Sequence, residues 1–240
     1  MKISRDVTIR LNWIMDNLVP PILRDARWLI APLMRIVVGP KYKHYLNFKD
    51  SIPNLTENDI YALNEFLSDT LIDRETHLNK KSMEFVLKNV VGSRILDAGC
   101  GRGFLARKIA NSAENNVEVY GLDGAIEPGK RDGIIYEKGS ILNIPYEDDF
   151  FGTTVCTHTL EHILDINTAL KELRRVTSKR LIVVVPKQRE YRYTFDPHIH
   201  FFPYLFSLKN LIQSSSANYY EVNQDFICIE DFDKTEEVPK

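Results

Sequence analysis

From Arg94 onward the apolar positions come in short continuous runs separated by helical patterns. Ile95-Leu96 closes the first run. Val117 to Leu122, Ile134 to Ile141, Phe151 to Thr157 and Leu181 to Val185 form four more, and Tyr219 to Asn223 and Asp225 to Glu230 read as two final strands. Continuous runs suit strands buried on both faces, as in a parallel sheet. Between them, Phe104 to Ala110, Ile163 to Val176 and Tyr204 to Gln213 keep helical spacing. The alternation predicts an α/β fold: a doubly wound, mostly parallel seven-stranded sheet. One crossover is abbreviated. Gly124 to Gly133 holds three glycines and Pro128, too little for a full helix.

Upstream the pattern changes. Met1 to about Ile52 is helical but broken by Pro20-Pro21, Pro32 and Pro40. Thr56-Glu57-Asn58-Asp59 resembles a capping box with Asp in place of Glu, and Ile60, Leu63, Phe66, Leu67 and Leu71 follow at helical spacing. Another helix is predicted from Lys80 to Val90. The organisation is a helical N-terminal extension over 1–78 and a core over 79–240. The charged tail from Asp231 reads as a frayed end.

Charge is uneven along the chain. The whole carries −2, yet residues 1–50 hold nine Lys or Arg against four Asp or Glu, which is +5. That segment also contains Trp28 to Met34 and Ile36 to Val38. Pro32 and Arg35 interrupt it short of the roughly 20 apolar residues that span a bilayer. Such an arm reads as a cap with its apolar face on the core; a peripheral contact with an anionic membrane through residues 1–50 is the alternative. The first fifteen residues lack a secretory pattern. The three cysteines, Cys100, Cys156 and Cys228, have neither metal spacing nor a disulfide framework. A cytoplasmic location is expected.

The richest stretch is Asp97-Ala98-Gly99-Cys100-Gly101-Arg102-Gly103, set between a strand and a helix. Glycines at alternate positions let the backbone turn tightly and approach a ligand, and the helix start offers free N–H groups. A dinucleotide fingerprint wants G-x-G-x-x-G; here the third glycine comes one residue early, and Phe104 stands where it is expected. The added carboxylate of Asp97 suits a cationic ligand better than a pyrophosphate. A second acid, Asp123, ends the next strand, where it can accept both hydroxyls of a ribose.

The pattern D-x-G-x-G-x-G resembles motif I of the class I S-adenosylmethionine-dependent methyltransferases, and the likeness covers roughly residues 80 to 230. It implies a Rossmann-like fold and S-adenosyl-L-methionine as cofactor, with S-adenosyl-L-homocysteine as product. It also implies a cofactor site made by Asp97, Gly99, Cys100, Gly101 and Gly103, by Asp123 and Gly124, by Ser140 and Ile141, and by Thr157. Two positions depart from the family pattern: Ser140 stands where Asp is frequent, and Gly152 replaces an Asp after Phe151, removing one polar group expected near the substrate.

Methyl transfer is an in-line displacement and often needs a base. Ligands of open α/β sheets bind at the carboxyl ends of the strands. Candidates therefore follow the fourth strand (His158, Glu161, His162) and the fifth (Asp196, His198, His200). The catalytic set expected is His158, Glu161, His198 and His200, with one of the alternating His198 and His200 pointing inward. His158 to His162 also fits H-x-x-E-H, a zinc pattern that needs one helix face, whereas His158 follows a strand. No metal is expected; an ion between His158 or His162 and the His198/His200 pair stays open. Tyr191, Arg192 and Tyr193 line the same cavity or form a solvated loop. Arg74 and His77 touch the cofactor carboxylate or mark an exposed helix end.

The implied activity is methylation of O or N on a small molecule or a glycan- or lipid-linked precursor. The alternative is a scaffold that keeps the cofactor fold without turnover. Nucleic acid is disfavoured as a partner by the net charge of −2 and the pI near 6.3, and an Asn-Pro-Pro-Tyr signature is absent.

Overall fold

The computed structural model describes residues 14, 18–68, 76–112, 117–193 and 197–232. The N-terminal part is helical: α1 (Pro21–Arg24), α2 (Arg27–Val38), α3 (Tyr42–Ser51) and α4 (Glu57–Ser68). The core follows as α5 (Lys80–Asn89), β1 (Arg94–Ala98), α6 (Phe104–Ser112), β2 (Glu118–Asp123), β3 (Gly129–Arg131), β4 (Ile134–Lys138), β5 (Phe151–Thr157), α7 (Ile166–Arg175), β6 (Thr177–Pro186), α8 (Leu205–Ile212), β7 (Ala217–Val222) and β8 (Asp225–Asp231).

The strands form one sheet in the order β3-β4-β2-β1-β5-β6-β8-β7. β4, β2, β1, β5 and β6 are parallel; β8 runs antiparallel to β6 and β7 antiparallel to β8. The sheet is thus doubly wound, with eight strands rather than seven. The extra one is β3, which pairs antiparallel with β4. It occupies the glycine-rich crossover whose length forbids a helix, and a hairpin satisfies the backbone there instead.

Both sheet faces are buried, as the continuous apolar runs require. Leu96, Leu122, Val183 and Val185 pack under α7 and α8, while Ile95, Val119, Ile182 and Val184 pack under α5 and α6. Local signals set the helix starts. In the capping box, Thr56 N–H donates to Asp59 Oδ2 at 2.8 Å, and Asp59 N–H donates back to Thr56 Oγ1 at 3.3 Å. The predicted helix from Ile163 begins later, at Ile166, because Asp165 caps it by accepting from Thr168 N–H, and a short 3-10 turn takes Leu160–His162.

A third cluster joins the N-terminal helices to the core: Ile30, Met34, Val38, Tyr45, Leu46 and Leu67 with Tyr193. Tyr191 is buried beneath the Arg24 guanidinium, 4.5 Å from its ring centroid. Arg192 N–H donates to Asp25 at 3.2 Å. Tyr191 and Tyr193 are therefore buried where the helical extension rests on the core, and the Arg192 side chain between them is exposed. Among the described residues, no helix is long and apolar enough to cross a membrane.

Candidate active site

Strand order reverses between β1 and β5, and ligands of such sheets bind outside the carboxyl ends at that point. The turn after β1 and the loop after β5 open on this crevice. The turn is stitched to β2: Gly99 N–H and Cys100 N–H both donate to Leu122 O, at 2.8 and 3.0 Å.

The three glycines do different work. A Cβ on Gly99 would collide with the Thr159 side chain, and one on Gly103 with the Tyr136 ring, whereas one on Gly101 would meet nothing within 4 Å. All three have positive φ, with Gly101 at +52°. Gly99 and Gly103 thus close the turn onto its neighbours, and Gly101 leaves a cradle that a side chain would fill. That cradle fits the cofactor implied by the turn.

Two acids frame it. Asp97 is fully buried and accepts from Ala106 N–H at 3.0 Å, inside the first turn of α6. Burial raises its carboxyl to about 7, despite that hydrogen bond. Asp123 accepts from Gly101 N–H at 2.8 Å and from Ala125 N–H at 2.9 Å. Burial pushes the Cys100 thiol up, so it is no nucleophile. Ile141 packs into the core.

Ser140 Oγ accepts from Leu142 N–H at 3.1 Å and lies 3.4 Å from Tyr61 Oη. Tyr61, on α4, also leaves only 3.1 Å for a Cβ at Gly124. The extension therefore reaches the cofactor side of the crevice through Tyr61. Sequence reasoning missed it, because Tyr61 lies just off the apolar stripe of its helix. Arg74 and Asp196 lie outside the described residues. His77 is exposed, with its ring centroid 6.3 Å from that of His158.

Gly152 is at the opposite end. It sits at the start of β5, where a Cβ would lie 3.0 Å from the Cα of Gly92. The expected loss of a polar group near the substrate is thereby corrected: this position lies buried at the amino end of a central strand, away from the carboxyl ends, and needs glycine for close packing.

The loops after β5 and β6 meet. Ile199 N–H and His200 N–H donate to Glu161 O at 2.7 and 3.1 Å, and the His162 and His198 rings lie 4.7 Å apart. His198 is the buried member of its pair, with Nδ1 2.6 Å from Gln188 Oε1; His200 donates from Nε2 to Ile163 O at 2.8 Å. His158 adopts a left-handed backbone with φ of +50°. Its ring lies between Glu161, at 3.4 Å from Nδ1, and Asp225, at 3.2 Å from Nε2. Burial alone would lower its pKa, but the two carboxylates outweigh it and push it up to about 9. His158 in turn holds the Glu161 carboxyl below the usual range, against the opposing effect of burial. An imidazolium pinned this way has no lone pair for a proton at neutral pH, so the role of base expected of His158 does not fit where it sits. Asp225 was not legible as a site residue: only the antiparallel course of β8 brings it to this end of the sheet. Asn79, the cap of α5, donates to its other oxygen.

Residues 96–185 match the family model of the methyltransferase domain. A 2-phytyl-1,4-naphtoquinone methyltransferase from Trichormus variabilis is 31% identical over 96 residues, covering 35% of this chain and 42% of that protein. A ubiquinone/menaquinone biosynthesis C-methyltransferase from Geotalea daltonii is 26% identical over 130 residues, covering 50% of this chain and 55% of that protein. The chain thus matches about half the length of these curated relatives. The crystal structure of a SAM-dependent methyltransferase from Aquifex aeolicus shares the fold, with a TM-score of 0.50, 17% identity and coverage of 74% of this chain and 98% of that one. Fold, turn and domain match together make the chain similar to the class I S-adenosylmethionine-dependent methyltransferases. Within that class its matched domain is similar to enzymes named for quinone methylation.

Proposed function

We propose that the chain transfers the methyl group of S-adenosylmethionine to a small, largely apolar acceptor presented at a membrane surface. The observation that carries methyl transfer is the Asp97 to Gly103 turn, with its open position at Gly101 and Asp123 locked beside it. The cofactor supplies a sulfonium-bound methyl whose C–S electron pair leaves with sulfur. The chain's part is to hold and orient: Asp97 and the N-terminus of α6 offer a negative group and N–H donors, Asp123 suits a diol, and Tyr61 with Ser140 closes one side. On the acceptor side the loop carrying His198 and His200 faces Glu161 and His162, and these side chains position the nucleophile.

The membrane part rests on α1 and α2. α2 buries Ile30, Met34 and Val38, yet its other face exposes Trp28 (73%), Leu29, Leu33 and Ile36 (77%), continued by Ile22 on α1. Arg27, Arg35 and Lys43 are exposed close by in sequence. An apolar face bordered by cations suits an anionic lipid surface. The relatives named for quinone substrates support a lipophilic acceptor of this kind.

The test is turnover of methyl-labelled cofactor against two extracts, one of membrane lipids and one of water-soluble metabolites. Label entering the lipid extract supports the reading. Label confined to the soluble extract removes the membrane part, and binding of cofactor with no transfer to either favours the scaffold alternative.

A further inference from the structure

The two loops at the crevice gather a group that methyl transfer alone does not require. Glu161, His162 and His198 each offer one ligand atom, and these atoms lie within 4.8 Å of one another. They come from separate segments: the 3-10 turn after β5 and the loop after β6. The backbone bonds from Ile199 and His200 to the Glu161 carbonyl hold the segments together.

A second observation is independent of that proximity. Glu161 is wholly buried; Oε1 has the 3.4 Å contact of His158, and Oε2 receives no hydrogen bond. A buried carboxylate left so costs several kcal/mol unless a cation compensates it. His158 lies 3.4 Å away on one side only.

The imidazoles are preset as well. His162 Nδ1 lies 3.2 Å from the Pro197 carbonyl, and His198 Nδ1 lies 2.6 Å from Gln188 Oε1. Carbonyl oxygens only accept, so each ring carries its proton on Nδ1 and its lone pair on Nε2. Metal-binding histidines are commonly fixed by such a bond from the other ring nitrogen. Ions held at about 2.1 Å need ligand atoms roughly 3–4 Å apart, a contraction of about 1–2 Å at most from the 4.8 Å here.

We propose that Glu161, His162 and His198 bind a divalent first-row transition ion such as Zn2+, Mn2+ or Fe2+, and that its remaining positions take an oxygen of the acceptor. Two imidazoles and one carboxylate with open positions suit these ions better than Mg2+ or Ca2+, which prefer oxygen donors. The acceptor contact rests on the methyl-transfer reading; the ion site does not. The H-x-x-E-H spacing gave no such set, because it enlists His158, whose place is taken by His198 from the next loop.

The full chain, stripped with chelator, is titrated with Co2+ by visible absorption and with Zn2+ by calorimetry. One ion per chain is expected. Glu161→Gln and His198→Asn should each weaken binding at least about tenfold. Gln188→Ala, which touches no ion, should weaken it by about 10- to 100-fold through the loosened His198 ring. Cofactor binding of each variant, read by calorimetry, reports whether the fold survives. Uptake well below one ion per chain in the parent, or uptake unchanged in both Glu161→Gln and Gln188→Ala, overturns the site. Ion binding by a chain that binds no cofactor would leave the site standing and sink the methyl-transfer reading.

Discussion

Asp123 Oδ2 accepts a 2.8 Å hydrogen bond from the N–H of Gly101. The tip of β2 therefore holds the middle of the turn after β1, and one carboxylate both shapes the cradle and faces into it. Asp123→Ala should weaken S-adenosylmethionine binding by about 1–3 kcal/mol, the scale of hydrogen bonds to a charged group. Calorimetry with cofactor and demethylated product would read it; unchanged affinity for both would remove Asp123 from the site.

The turn glycines should separate under substitution. Gly101→Val places its side chain in open space, so the variant should fold with about 1–2 kcal/mol of left-handed strain and lose cofactor binding. Gly99→Val and Gly103→Val should instead lower thermal stability, because Thr159 and Tyr136 occupy the space. Equal loss of melting temperature in all three would contradict this division.

Asp97 makes binding pH-dependent. Its folded pKa, about 7, lies above the ordinary value near 4. The charged form is thus disfavoured in the fold, and this group costs stability increasingly as pH rises from about 4 through 7. A bound cation offsets that cost. Affinity for S-adenosylmethionine should therefore rise between pH 6 and 8, with proton release visible in buffers of different ionisation heat. Asp97→Asn should flatten the dependence.

His158 holds two buried carboxylates apart. His158→Gln leaves Glu161 and Asp225 without their cation and should cost about 3–5 kcal/mol in denaturant unfolding. Adding Asp225→Asn should restore part of it. A His158→Gln chain of full stability would show that these ion pairs are dispensable.

The exposed face of α2 gives a direct measurement. Trp28→Glu with Ile36→Glu should reduce sedimentation with phosphatidylglycerol vesicles at least tenfold, since burying each such side chain contributes about 1.5–3 kcal/mol. Salt should weaken binding of the parent chain. Equal binding by parent and variant would assign the face elsewhere.

Much of the architecture was legible from the chain. Continuous runs such as Leu181 to Val185, short and β-branched, suit strands buried on both faces, and the glycine turn marks the strand-to-helix junction. β3 was not, because Gly129-Lys130-Arg131 is exposed and carries no apolar pattern. The crevice was legible only where its residues are local in sequence. Asp97 and Asp123 each end a strand. Tyr61, Asp225 and Gln188 arrive from distant segments, and nothing in their neighbourhoods advertises a partner. His158 was misjudged for the same reason: its spacing suggests a base, while its carboxylate neighbours come from Glu161 and from a strand far down the chain.

The antiparallel course of β8 has a consequence in time. A ribosome delivers the glycine turn and His158 long before Asp225, and synthesis proceeds at about 5–20 residues per second. Until the last strand is inserted beside β6, the nascent sheet has an open edge and an imidazole missing one of its two anions. The crevice is therefore completed only once β8 has been made, and a chain released before it would carry the cofactor turn without Asp225 beside His158.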